Sequence, residues 1–157
     1  MSKTWFVTGA SRGIGGEIVK AALAAGDSVV ATGRDLARLE RLFAPYGDRV
    51  LSLQLDVAKE SQAFAAVEAA VQRFGRIDVA VNNAGYGQLG PFEENDAEAA
   101  ERQFVTNVFG IFHVCRAVLP VMRRQRAGHI FNVSSIAGVV GMGGAYRDWE
   151  TDRKSVV

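Results

Sequence analysis

Short apolar runs alternate along the chain with longer stretches in which apolar residues recur at helical spacing. Alternation of strand-like and helix-like segments is typical of βαβ units built around a parallel sheet. No long-period repeat, low-complexity segment or linker interrupts the pattern. We therefore expect an α/β protein with one domain.

The pattern predicts five strands and five helices. The strands are expected at residues 4–8, 28–32, 49–55, 77–81 and 128–134. The helices are expected at residues 14–25, 35–43, 59–74, 96–108 and 109–126. Asp35 is a suitable N-cap, and Gly26 and Gly75 follow two helices at positions where glycine commonly ends them. Pro120 lies inside the last helix and predicts a kink or local break there.

Composition and charge narrow the class of protein. The chain has 157 residues, of which 48% are hydrophobic and 22% charged, with a formal net charge of +1. This composition is ordinary for a soluble globular domain, and the near-zero charge gives no electrostatic case for nucleic acid. No apolar run reaches the roughly 18 residues of a membrane span, and no signal peptide precedes the first strand. We expect a cytoplasmic protein that binds neither membrane nor nucleic acid.

The residues that most often hold metal ions are sparse. Cys115 is the only cysteine, which excludes an internal disulfide and a cysteine-cluster metal site. His113 and His129 are far apart and lack the spacing of metal ligands. We expect no metal site.

A glycine-rich turn lies between the first predicted strand and helix. Gly9, Gly13 and Gly15 stand in the segment TGASRGIG. Glycines at such a turn let the backbone approach a pyrophosphate, and the helix N-terminus presents free N–H groups and partial positive charge to it. A strand before and a helix after are the context expected of a dinucleotide site. Taken by itself, the motif also fits a turn without a ligand.

Four further motifs follow in chain order: Asp56-Val57, Asn82-Asn83-Ala84-Gly85, Asn107 and Asn132-Val133-Ser134-Ser135. With the turn TGxxxGIG, they make residues 4–144 resemble the compact branch of the short-chain dehydrogenase/reductase (SDR) family. The resemblance implies a Rossmann-type doubly wound parallel sheet with strand order 3-2-1-4-5, whose later strands are missing from this chain. It also implies that the native protein is a homo-oligomer.

The resemblance assigns cofactor contacts residue by residue. The residues expected around the pyrophosphate and adenosine ribose are Gly9, Ser11, Arg12, Gly13, Ile14 and Gly15. Asp56 and Val57 would bracket the adenine, with the Asp56 carboxylate accepting from its exocyclic amine. Asn83, Ala84 and Gly85 would line the cofactor.

The charge at the end of the second strand bears on the choice of cofactor. Arg34 stands there, and Arg12 lies in the glycine-rich turn, so two guanidinium groups can converge on a 2′-phosphate. This favours NADP(H). Asp35 is adjacent and could accept from a free ribose 2′-hydroxyl instead, so NAD(H) stays open.

The resemblance further implies hydride transfer between the nicotinamide and a ketone, an aldehyde or a secondary alcohol. The family uses a tyrosine as acid/base, a lysine four residues later, a serine that orients the carbonyl, and an asparagine in the proton relay. Ser135 matches the serine, with Ser134 as the alternative, and Asn107 matches the asparagine. Tyr146 is the only tyrosine after Ser135.

The expected lysine is absent from this pattern, because Glu150 stands four residues after Tyr146. A neighbouring carboxylate raises a tyrosine pKa rather than lowering it. We therefore expect the chain as written to be inactive. The alternative from a different class is an NAD(P)-binding module without catalysis.

The composition changes abruptly near Tyr146. We divide the chain into an incomplete NAD(P)-binding Rossmann domain, residues 1–145, and a non-native tail, residues 146–157. One reverse translation of Asp152–Val157 is GATCGGAAGAGCGTCGTG, which matches a widely used short-read sequencing adapter. Independent reads of the source DNA that continue in frame through Val157 would contradict this interpretation.

Overall fold

The computed structural model describes residues 2–88 and 94–136. The strands are β1 (Thr4–Val7), β2 (Ser28–Gly33), β3 (Val50–Gln54), β4 (Val79–Asn82) and β5 (His129–Asn132). The helices are α1 (Gly13–Ala24), α2 (Leu36–Phe43), α3 (Glu60–Phe74), α4 (Ala97–Phe104) and α5 (Gly110–Gln125). A 3-10 segment, Ala44–Arg49, follows α2, and a π-helical turn, Val105–Phe109, joins α4 to α5.

The five strands form one parallel sheet in the order β3-β2-β1-β4-β5. Phe6 of β1 pairs with Val30 of β2 on one side and Ala80 of β4 on the other. This confirms the predicted strand order. Because the strands are parallel, the segments that follow them meet at one edge of the sheet. The order in which strands are added reverses between β1 and β4, and doubly wound sheets bind ligands at such a point.

Alternate residues of the strands face opposite layers of helices. Phe6 and Val30 pack with α3 and α5, whereas Val7 and Val29 pack with α1 and α2. Both faces of the central strands are covered, as the apolar runs in the sequence require. The fold is therefore the doubly wound one that the sequence predicts.

Local signals at the helix ends are confirmed. The Asp35 carboxylate accepts a hydrogen bond from the backbone N–H of Arg38 at 2.9 Å, which caps α2. Gly26 and Gly75 follow α1 and α3 with φ of 86° and 76°, in the left-handed region that favours glycine.

The prediction of a break at Pro120 is wrong. Helix α5 runs through Pro120, which lies on its exposed side, where water can satisfy a carbonyl left without an N–H partner. The departure from α-helical geometry lies instead at the π-helical turn Val105–Phe109. Such turns are frequent at functional sites.

Within the described ranges, the helical stretch Ala97–Gln125 is long and apolar enough, by length and composition only, to cross a membrane, with a mean hydropathy of 1.6. The sequence expectation considered only uninterrupted apolar runs and missed it. Val114 and Val118 of this stretch are buried against α3 in the core. Because core helices of soluble proteins meet the same criterion, this is weak evidence for a membrane span.

Asp78 stabilises the edge of the sheet at which the parallel strands begin. Its carboxylate accepts from the Thr4 backbone N–H at 2.8 Å and from the Arg76 guanidinium at 2.6 Å. Burial acts to raise the pKa of the Asp78 carboxyl, but the hydrogen bonds from Arg76 and Thr4 and the charges of Arg76 and Lys3 outweigh it and lower the pKa below its ordinary value. Asp78 therefore anchors the edge of the sheet at which the strands begin.

Candidate functional site

A cleft of about 760 Å³ lies at the sheet edge where the strands end. Small-molecule sites typically have volumes of about 300–1,000 Å³, so the cleft can take an extended cofactor. It is lined by Gly9, Ser11, Arg12, Gly13, Ile14, Gly33, Arg34, Asp35, Arg38, Leu55, Asp56, Val57, Asn83, Ala84, Gly85, Tyr86, Thr106 and Val133. All the predicted cofactor residues except Gly15 are among them, whereas Asn107 and Ser135 are not.

The glycine-rich turn presents the start of α1 to this cleft. Gly9 and Gly13 have φ of 66° and 55°, which allow the chain to turn directly from β1 into the helix. Helix α1 begins at Gly13, its N-cap Arg12 makes no side-chain cap bond, and no acidic residue lies in its first turn. The N–H groups of that turn are therefore left for a ligand, and the helix dipole favours an anionic one. This end of the cleft fits a pyrophosphate.

Thr8 and Asn83 tie the glycine-rich turn to the end of β4. The buried Thr8 hydroxyl accepts from the backbone N–H groups of Asn83 and Ala84, both at 3.0 Å. In return, Asn83 Nδ2 donates to the carbonyls of Thr8 at 2.9 Å and Gly9 at 3.2 Å. Thr8 is a supporting residue that the sequence motif contains but that the prediction did not assign.

Gly15 lies beneath the turn rather than in the cleft wall. A Cβ atom at this position would be 2.5 Å from the Gly9 carbonyl oxygen and closer still to Asn83 Nδ2. Glycine is required here because the helix and the turn approach each other too closely for a side chain. Gly15 therefore shapes the site from outside the cleft.

Replacing Thr8 by valine removes the acceptor of two backbone N–H groups while keeping the side-chain shape. We expect a loss of about 1–3 kcal/mol in the free energy of unfolding, the cost of unsatisfied donors in a partly buried place. Urea denaturation would measure it.

Thr32→Val is the matched control, since the fully buried Thr32 hydroxyl only donates, to the Val7 carbonyl at 3.1 Å. Equal losses for the two variants would contradict a special role of Thr8.

Three arginines, Arg12, Arg34 and Arg38, line the cleft, and Arg34 directly follows β2. Arg38 Nε donates to the Ser11 carbonyl at 2.9 Å, which joins α2 to the glycine-rich turn. The prediction missed Arg38; its position one helical turn after Arg34 was the available signal. Asp35 also lines the cleft, and one of its oxygens is used in the helix cap described above.

The turn after β3 orients Asp56. Its backbone N–H donates to Gln62 Oε1 at 2.8 Å, and its Oδ1 accepts from the Ala58 N–H at 3.1 Å. These two bonds fix the half-buried carboxylate at the cleft. Neither of them uses Oδ2. Asp56 lines the cleft with an oxygen that could accept from a ligand amine.

Asn107 lies in the π-helical turn and forms hydrogen bonds with the segment after β4. Its Nδ2 donates to the Tyr86 carbonyl at 2.7 Å, and its Oδ1 accepts from the Tyr86 N–H at 3.1 Å. The asparagine thus holds the backbone next to Gly85, a contact that sequence reasoning did not foresee.

Of the other two predicted catalytic residues, the structure describes Ser135 but not Tyr146. Ser135 is exposed and follows β5, whose Asn132 side chain accepts from Asn82 Nδ2 at 2.8 Å. This places the segment that carries Ser135 at the same sheet edge as the cleft. Tyr146 and the predicted tail, 146–157, lie outside the described residues.

Comparison with known proteins identifies the class to which this fold and cleft correspond. The family model for short chain dehydrogenases matches residues 3–146. The chain belongs to the short-chain dehydrogenase family. This confirms the resemblance seen in the sequence motifs.

Among curated relatives, the oxidoreductase BOA17 of Botryotinia fuckeliana is 45% identical over 145 residues, covering 92% of this chain and 53% of the relative. The 2-(R)-hydroxypropyl-CoM dehydrogenase of Xanthobacter autotrophicus is 41% identical and covers 92% of this chain and 60% of the relative. The chain therefore spans about half the length of the curated relatives it matches.

Solved structures agree in fold. A short-chain dehydrogenase from Streptomyces avermitilis superposes with a TM-score of 0.86 at 41% identity, covering 93% of this chain and 55% of that one. ElxO with NADP bound has a TM-score of 0.85 at 32% identity, covering 92% and 60%. A short-chain dehydrogenase/reductase from Burkholderia phymatum in complex with NAD has a TM-score of 0.86 at 31% identity, covering 92% and 54%. Structural relatives thus bind either dinucleotide.

Proposed function

We propose that this chain is the cofactor-binding part of an NADP(H)-dependent oxidoreductase that interconverts a ketone or aldehyde and the corresponding alcohol. The observation that carries the proposal is the cleft itself. It combines an uncapped helix N-terminus, a carboxylate held by the turn after β3, and three arginines in its lining, of which Arg34 directly follows β2. When bound, the nicotinamide dinucleotide supplies or accepts the hydride.

The residues of this chain would divide the work along the cleft. The N–H groups at the start of α1 would bind the pyrophosphate, and Asp56 would accept from the adenine amine. Ser135 would orient the substrate carbonyl at the far end. Asn107 would keep Tyr86 and Gly85 in place beside the nicotinamide.

The charges at the ribose end support NADP(H) over NAD(H). A 2′-phosphate gains from guanidinium groups, which bind phosphate through paired hydrogen bonds. Arg12 and Arg34 are exposed and line the cleft. Asp35, the residue that could serve a free 2′-hydroxyl, already accepts a bond from Arg38 N–H at 2.9 Å.

Calorimetric titration of the chain with NADP⁺ and NAD⁺ tests this assignment. We expect NADP⁺ to bind at least about tenfold more tightly, and Arg34→Gln to remove most of that preference, because a charge-assisted hydrogen bond contributes about 1.5–3 kcal/mol.

Arg41→Gln is the control, since Arg41 is an exposed arginine of the nearby helix α2 that lies outside the cleft lining. Tighter binding of NAD⁺ to the unmodified chain, or an equal effect of the two substitutions, would contradict the preference for NADP(H).

An NAD(P)-binding module without catalysis is the second candidate. The observation that favours it is the residue four positions after Tyr146, which is Glu150 rather than lysine. Both candidates would bind a dinucleotide in the cleft, and only the oxidoreductase would convert a substrate.

A further inference from the structure

Helix α5 makes an unusually close approach to the turn after β3. A Cβ atom on Gly110 would be 2.7 Å from Val57 Cγ2, so a side chain at position 110 would push the helix away from the turn. Val57 is only 6% exposed and is packed in the core beneath the cleft. The first residue of α5 therefore seats the helix directly against one of the residues expected to bracket the adenine.

One helical turn further along, His113 bonds the backbone of the same residue. Its Nδ1 lies 2.8 Å from the Val57 carbonyl oxygen. A carbonyl oxygen can only accept, so Nδ1 carries the hydrogen of this bond. His113 is half-buried and does not line the cleft, so its effect on a ligand must pass through Val57.

The bond from His113 completes the support of this turn. Gln62 of α3 holds the Asp56 N–H, and the Asp56 side chain holds the Ala58 N–H. The Val57–Ala58 peptide is therefore held at both ends: its N–H donates to Asp56 Oδ1, and its carbonyl accepts from His113. Rotation of that peptide would turn the neighbouring Asp56 carboxylate, because the two residues share one short turn with few free dihedral angles.

We infer that His113 is a positioning residue for the adenine of the cofactor, acting through the Val57 carbonyl to aim the Asp56 carboxylate at the exocyclic amine. This inference rests on the proposed dinucleotide function. One helical stretch then braces the cleft at two places: Asn107 holds the Tyr86 backbone and His113 holds the Val57 backbone. Nothing in the spacing of the sequence motifs links these residues.

The experiment compares NADP⁺ with its hypoxanthine analogue, in which an oxygen replaces the adenine amine that Asp56 would bind. The unmodified chain should bind NADP⁺ about tenfold or more tightly than the analogue, the value of a hydrogen bond to a charged acceptor. His113→Leu should reduce that preference to near unity, mainly by weakening NADP⁺. Calorimetric Kd values for both dinucleotides give the ratio.

Two variants separate positioning from general structural support. His113→Asn places an amide N–H close to the former Nδ1 and should keep most of the preference. His129→Leu changes the other histidine, an exposed residue of β5, and should change neither Kd by more than about twofold, since surface substitutions are usually nearly neutral. Thermal unfolding of each variant monitors the fold.

The outcomes distinguish the inference from the function on which it rests. A full adenine preference in His113→Leu, or equal weakening of both dinucleotides, would overturn the positioning role while leaving the proposed function intact. An unmodified chain that binds both dinucleotides equally would also overturn it, because Asp56 would then not read the amine. A folded chain that binds neither would contradict the proposed function itself.

Discussion

Replacing Gly15 by alanine should weaken binding of both NADP⁺ and NAD⁺ by about 100-fold or more. The added Cβ would be 2.5 Å from the Gly9 carbonyl oxygen and still closer to Asn83 Nδ2. Relieving the clash requires the Asn83 amide to leave the Thr8 and Gly9 carbonyls, at about 1 kcal/mol for each bond. Overpacking adds about 1–3 kcal/mol, and each 1.4 kcal/mol corresponds to tenfold in Kd. Titration calorimetry would measure both constants.

Gly16→Ala is the matched control for this substitution. Gly16 is the next residue of the same helix and is also buried, but its added Cβ would meet the Ala10 carbonyl oxygen at 3.3 Å, a gap that a small shift relieves. We expect Gly16→Ala to change the Kd values by less than about threefold, within the range of near-neutral substitutions. A Gly15→Ala chain that is folded and binds NADP⁺ as tightly as the unmodified chain would contradict the proposed role of the turn.

The strands and helices were predictable from signals that are local in sequence, whereas the strand order came from the resemblance to the short-chain dehydrogenase/reductase family. Each apolar run bounded by a turn gave one strand. Asp35, Gly26 and Gly75 marked helix ends correctly for the same reason. The helical spacing of Phe64, Val67, Val71 and Phe74 predicted the apolar face of α3 less well. Val67 is buried, but Phe64 is 46% exposed, and the smaller Ala63, Ala66 and Ala70 are buried instead.

The cleft was predictable where motif residues follow strands, and was not predictable where distant elements touch. Gly9, Asp56 and Asn83 each come directly after a strand of a parallel sheet, so the topology brings them to one edge. The bonds from Arg38 to Ser11, from Asn107 to Tyr86 and from His113 to Val57 join elements that are 27, 21 and 56 residues apart. No periodicity or turn signal encodes such pairs, because they depend on how the helices pack.

We expect the 157-residue chain to reduce no carbonyl compound, although its cofactor cleft is formed. Glu150, rather than the family's lysine, stands four residues after Tyr146, so the cation that lowers the tyrosine pKa in the family is missing from its position. Joining residues 1–136 to the remaining part of a full-length relative that carries the tyrosine and lysine pair should raise turnover roughly 1,000-fold or more, since positioned acid/base groups commonly contribute about 10²–10⁴-fold. NADPH consumption with a panel of ketones and aldehydes would measure it.

The control is the same chimera with its tyrosine changed to phenylalanine, which should keep NADP⁺ binding and lose turnover. Measurable carbonyl reduction by the 157-residue chain itself would contradict the expectation of inactivity. A chimera that binds NADP⁺ tightly but turns over none of the panel would favour the non-catalytic module, because the restored pair would then act on a site unable to orient a carbonyl. Ser135 is exposed after β5. The chimera therefore distinguishes the enzyme from the non-catalytic module by whether the added chain brings the Ser135 hydroxyl to the nicotinamide end of the cleft.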